Sequence, residues 1–154
     1  MTTMLAPLPS PTETLEIATF YVDDVMMGVP IDQVEEINHH LDITPVPHAP
    51  LYVRGLMNLR GEVLTVIDLR AVLNLGPATV RRPCNVVVRW RGEQIGLMVD
   101  AVGDVVRARR EDIEPPPANI SATEGRLLWG VYKLENAILA ILDVERSLAP
   151  DPRS

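Results

Sequence analysis

Short apolar runs separated by two-residue polar turns recur along the chain, and the clearest set lies between Gly55 and Leu73, GLMNLRGEVLTVIDLRAVL. Gly55 to Leu59 and Val63 to Ile67 read as two strands. Arg60-Gly61-Glu62 breaks the run, and Gly61 suits the left-handed backbone of a tight hairpin turn. Asp68 is placed as the N-cap of a short helical turn through Leu73 that stops before Gly76-Pro77. The same grammar predicts strands over Leu15–Val22, Val25–Val29, Asn85–Trp90, Gln94–Val99, Leu127–Leu134 and Ala137–Leu142, with turns at Asp23-Asp24, Arg91-Gly92 and Glu135-Asn136. Pro30 to Ile37 spaces Val34 and Ile37 three apart, which predicts a helical turn. Asp100 to Arg107 fits either a strand or a turn of helix. Asp42–Arg54 and Glu114–Thr123 are proline-stiffened connections, Gly76–Pro83 is a loop, and a last short helix starts at Asp143. The sum is an all-β class.

The pattern repeats. Gly130–Leu148 lies under Gly55–Leu73 at a constant offset of 75, matching Gly55 with Gly130, Leu59 with Leu134, Gly61 with Asn136, Ile67 with Leu142 and Asp68 with Asp143. A second block at offset 68 matches Gly28 with Gly96, Asp32 with Asp100, Val34 with Val102, Glu36 with Asp104 and Ile37 with Val105. Two blocks in the same order indicate an internal duplication. The expected organisation is one domain over 15–149, built from subdomains of about 15–75 and 84–149. Residues 1–14 form a disordered lead-in and 150–154 a short tail. Each subdomain has about five strands, enough for a small barrel. Alone each is marginal in size, so the two are expected to pack and leave a groove between them.

Composition narrows the function. A net charge of −7, with scattered arginines, lacks the basic stripe that nucleic acid or an anionic membrane requires. No apolar run approaches the roughly 18 residues of a spanning helix, and the N-terminus does not read as a signal peptide. One cysteine, Cys84, excludes an internal disulfide and suits a reducing, cytoplasmic compartment. His39, His40 and His48 lack metal-site spacing, so no metal or cofactor is expected. An enzyme using Glu35, Glu36 or Asp104 has no nucleophile–base pair or phosphate loop to support it.

Several motifs together carry a family resemblance. Asn58-Leu-Arg-Gly-Glu-Val63, Val66-Ile-Asp-Leu-Arg70, Val34-Glu-Glu-Ile37 and Thr44-Pro-Val-Pro-His-Ala-Pro50 resemble the signature of CheW-like domains. Gly96-Leu-Met-Val-Asp-Ala-Val102 and Ile113-Glu-Pro-Pro-Pro117 do too, in the right order, from about Leu15 to Leu148. The resemblance implies two intertwined SH3-like barrels and a non-catalytic adaptor that couples chemoreceptor cytoplasmic tips to a CheA-type histidine kinase. It implies a cytoplasmic protein peripheral to receptor arrays. The alternative is an adaptor of a chemotaxis-like pathway that engages no kinase. Carried over by motif, the receptor-contact positions are Val34, Glu36, Gly55, Arg60, Gly96 and Val105. One departure is Thr65, where the family often has proline; proline there would blunt a strand edge.

The duplication weighs these positions. Gly61 and Asn136 both tolerate a left-handed backbone, so the turn needs that property. Arg60 meets Glu135, of opposite charge, so the fold does not need arginine, and a guanidinium suits a partner's carboxylate. Glu36 meets Asp104, which leaves a local structural role and recognition both open. Gly55 and Gly96 fit close packing at bulges or a partner's close approach. Val34 and Val105 fit either core or groove floor.

Overall fold

The computed structural model describes residues 13–40, 42–73, 75, 83–116 and 128–144. Eleven strands are β1 (Thr14–Val22), β2 (Val25–Pro30), β3 (Val34–Asn38), β4 (Ile43–Thr44), β5 (Val53–Leu59), β6 (Glu62–Asp68), β7 (Cys84–Trp90), β8 (Glu93–Val99), β9 (Ala101–Arg109), β10 (Leu128–Lys133) and β11 (Ile138–Leu142). Helix α1 is Leu69–Val72, and Ile31–Gln33 and Arg110–Asp112 are single 3-10 turns.

Most sequence-predicted strands and turns appear where the apolar runs and turn residues put them. The turn predicted over Pro30–Ile37 does not hold beyond Gln33: Val34–Asn38 is a strand paired with β7. Val34 and Ile37 sit three apart because a bulge between Val34 and Glu36 resets the alternation, which imitates helical spacing. Asp100–Arg107 resolves to strand, since β9 runs nine residues against β1. Strand β1 starts before residue 15, at Thr14, and Glu13 is bound through its carboxylate to Arg110 Nε at 3.1 Å. The final helix beyond Val144, most of the Gly76–Pro83 loop, and the lead-in before Glu13 lie outside the described residues.

The strands form two packed sheets, ordered β10-β11-β2-β1-β9 and β3-β7-β8-β6-β5-β4. Each sheet draws strands from both halves of the chain, so the division at about 75 to 84 marks the duplication and not the sheets. The duplication is nonetheless visible in the ladders. Parallel β6–β8 pairs Val66 with Gly96, and parallel β11–β2 pairs Ile141 with Gly28, the equivalent residues at both offsets. The bulge between Val53 and Gly55 recurs between Leu128 and Gly130. The pairing of Thr44 with Leu56 recurs as the bridge of Glu114 to Val131.

No ladder closes either sheet into a barrel among the described residues, but both sheets curl. Met57, Leu59, Leu64, Val66, Val87 and Met98 are buried within the six-stranded sheet. Ile17, Ala108, Leu139 and Ile141 fill the five-stranded one. A larger core, including Phe20, Val22, Met27, Val29, Ile67, Val86, Val88, Leu97 and Val99, joins the two. Burying side chains of this size stabilises by roughly 1.5–3 kcal/mol each. Thr65 lies inside β6, paired with Leu56 on β5 and Ile95 on β8, so it marks no sheet edge.

Candidate functional site

The β5–β6 hairpin turns on two left-handed residues, Arg60 (φ 51°) and Gly61 (φ 88°). This backbone matches the right-handed twist of the flanking strands. Asn58 Oδ1 accepts the Gly61 N–H at 2.9 Å and pins the turn. Arg60 therefore projects from the tip with 72% of its side chain exposed.

Its partner is Glu36 in β3. Three strands separate β3 from the hairpin's first strand in the order of the sheet. The ion pair between Arg60 and Glu36 thus spans the open side of the curled sheet. Glu36 also accepts from Asn38 Nδ2 at 3.0 Å. The Arg60 hydrogen bond, then that from Asn38, holds its carboxyl below the usual carboxylate range. On the same strand, Glu35 pairs with Arg89 of β7.

The Glu36 carboxyl gives a pH prediction. A depressed folded-state value means the stabilisation is complete above the unfolded glutamate range. It is lost as pH falls through that range, about pH 4 and below. Chemical melts of wild type and Glu36→Gln are expected to differ by a constant amount from pH 7 down to about 5 and to converge in more acid solution. A gap that widens on acidification would contradict this sign.

Of the six positions singled out, the structure brings together Arg60 and Glu36. Val34, half-buried on β3, packs on the shared core. Val105 is 48% exposed on β9, in the other sheet. Gly55 and Gly96 are buried. A Cβ on Gly55 would run into the Thr44 carbonyl, and one on Gly96 would lie 3.3 Å from Leu64 Cδ1, so both glycines serve strand packing. A cleft between the sheets is lined by Leu15, Pro30, Gln33, Arg89, Arg110 and Trp129 among others, and by none of the six.

Three features escaped sequence reasoning. Arg70, two residues past the Asp68 cap, is buried and paired with Asp23 and Asp100. Asn38 and Asn85 form a buried amide pair. Cys84 lies 3.6 Å from His39 Nδ1, and burial pushes its thiol up from its ordinary value, which disfavours the thiolate a nucleophile needs. Among the described residues no group of three or more His, Cys, Asp or Glu side chains is placed to hold a metal, and no helix is long and apolar enough to cross a membrane.

The geometry is that of a binding module: two curled, duplicated sheets present a charged hairpin tip. Residues 16–150 match the family model of the CheW-like domain, and the chain belongs to that family. It is 35% identical over 140 residues to the chemotaxis protein CheW of Rhizobium meliloti, covering 90% of each chain. It is 34% identical over 122 residues to protein FrzA of Myxococcus xanthus, covering 79% of this chain and 76% of that one. Among solved structures it resembles the scaffolding protein TtCheW of Thermoanaerobacter tengcongensis. The TM-score is 0.82 at 26% identity, covering 90% of this chain and 95% of the other.

Proposed function

We propose that this chain is an adaptor that works by binding, coupling the helical cytoplasmic tip of a chemoreceptor to a CheA-type histidine kinase. The observation that carries the proposal is the Arg60–Glu36 pair. The two copies of the fold share register, bulges and glycines, yet the turn of one carries an arginine braced by Glu36 and the other carries Glu135. A charge that the fold does not require, paired with Glu36 at an exposed tip, suits recognition of a partner's carboxylate. Gly55 and Gly96 act behind it by seating the strands, and Val34 and Val105 supply apolar surface on β3 and β9, an edge strand of each sheet. The cytoplasm, at receptor arrays, is the setting this role implies. Arrays multiply contacts of modest strength, so no single contact needs high affinity.

The test is capture of a chemoreceptor cytoplasmic-tip fragment by wild type and Arg60→Ala. Loss of a charge-assisted hydrogen bond is expected to weaken binding by roughly 10- to 100-fold. The melting temperature should stay within about two degrees, because an ion pair this exposed contributes little to folding. Unchanged affinity, or a large drop in melting temperature, would remove Arg60 from the contact. Co-purification decides the kinase: an adaptor that retains receptor but never a CheA-type kinase serves the kinase-independent alternative.

A further inference from the structure

Behind the Arg60–Glu36 pair lies a chain of side-chain amides. Asn38 Nδ2 donates to Glu36 Oε2 at 3.0 Å, on the side of the carboxylate away from Arg60 Nη2, which binds Oε1. Asn38 Oδ1 accepts from Asn85 Nδ2 at 3.2 Å and from the His40 backbone N–H at 3.0 Å. Asn85 Nδ2 also donates to the His40 carbonyl at 2.6 Å. Asn85 is fully buried, Asn38 is 9% exposed, and the two face each other directly across β3 and β7. The amide orientations are thus set in sequence from the core outward: the His40 backbone and Asn85 orient Asn38, and Asn38 orients Glu36.

The equivalent strand pair in the five-stranded sheet shows that this arrangement is not a structural requirement. At an offset of 68, Asn85 corresponds to Ile17 and Asn38 to Val106. Ile17 and Val106 face each other across β1 and β9 in the same register, and they belong to an apolar cluster. An apolar pair therefore fills this site well. Buried amides are harder to accommodate, and Asn85 Oδ1 has no hydrogen-bond partner among the described residues. The amides lie in the six-stranded sheet, which carries Glu36 and the Arg60 hairpin. The five-stranded sheet, with apolar residues at this site, has Glu135 and Asp104 at the matching positions.

We propose that Asn85 and Asn38 are positioning residues that fix the Glu36 carboxylate, and through it the Arg60 guanidinium, in the geometry presented to the partner. The inference rests on the proposed role of Arg60. The charged groups around Glu36 are Arg60 on the hairpin, His40 beyond the end of β3, and the neighbouring Glu35, which Arg89 neutralises.

The experiment has two readouts. In free, carbon-13-labelled protein, the titration midpoint of the Glu36 carboxyl is followed by NMR. Asn38→Ala removes a donor to the charged form, so the midpoint should rise. Asn38→Asp keeps both accepted bonds but replaces that donor by an acidic oxygen, so it should raise the midpoint further. Asn85→Leu should raise it less. An unmoved midpoint in the folded Asn38 variants overturns the relay. An unmoved midpoint in Asn85→Leu alone restricts it to Asn38 and overturns the part assigned to Asn85. In the second readout, Asn38→Ala should weaken capture of the receptor-tip fragment by about three- to tenfold in wild type, the loss of one hydrogen bond. It should have no further effect in the Arg60→Ala background. Equal losses in both backgrounds overturn action through Arg60. If Arg60→Ala itself leaves capture unchanged, the proposed function fails, while the Glu36 titration still decides the relay.

Discussion

Arg70→Ala is expected to lower the melting temperature by roughly ten degrees or more. The Arg70 side chain, at the start of α1, is 8% exposed, as is that of Asp100 between β8 and β9, whose Oδ2 lies 2.9 Å from Arg70 Nη1. Asp23, in the β1–β2 turn, binds the same guanidinium, with Oδ2 3.3 Å from Nη2. These hydrogen bonds, those donated to Asp23 foremost, hold the guanidinium even more firmly protonated than usual. Asp100 Oδ2 accepts the Asp23 backbone N–H at 2.7 Å, and the Asp100 N–H reaches the Tyr21 carbonyl at 2.9 Å. One cation therefore ties the β1–β2 turn of one sheet to α1 and the end of β8 in the other. Truncation leaves a buried carboxylate beside a second carboxylate, and that uncompensated charge is the costly part. Arg70→Lys is expected to recover part of the loss, because an ammonium cannot fork to two acids. Thermal melts followed by circular dichroism decide the matter. An Arg70→Ala chain melting within two degrees of wild type would show that the clamp holds nothing.

Gly55→Ala is expected to cost roughly 2–4 kcal/mol, through backbone strain together with overpacking. Gly55 has φ 148°, a conformation that L side chains rarely adopt. Its added Cβ would run into the Thr44 carbonyl and lie 2.8 Å from Ile43 Cγ2. Both neighbours belong to β4, and one is backbone, so relief requires β4 to leave its ladder. Gly130 is the internal control. There a Cβ would meet Ile113 Cγ2 at 2.7 Å and the Glu114 carbonyl at 2.8 Å, without the unusual φ. Urea melts should rank Gly55→Ala as more destabilising than Gly130→Ala. The reverse order would mean that backbone strain is not the dominant cost.

The local elements were legible because their causes are local. Turn residues at Arg60-Gly61 and Arg91-Gly92, the Asp68 cap, whose Oδ1 accepts the Arg70 N–H at 3.0 Å, and alternating apolar runs all act within a few residues. The misreading of Val34–Asn38 has the same origin: a bulge alters the spacing, and the strand is recognised only through its partner β7. Arg60 was legible as a residue that the fold does not need, because its counterpart is Glu135. That Glu36 braces it was not, since the contact bridges 24 positions of chain and depends on the curl of a six-stranded sheet.

By itself, then, the sequence determined the all-β class, the positions of most strands and turns, and the duplication. These follow from periodicity, turn chemistry and repeated spacing written along the chain; the CheW-like family came from the resemblance of its motifs. The tertiary structure decided which strands share a sheet, that Arg70 is buried between Asp23 and Asp100, and that Asn85 reaches Asn38. Those pairings join residues 30 to 47 positions apart. Such contacts leave no periodic trace, because they arise only when two curled sheets exchange strands and bring distant polar groups into one dry space.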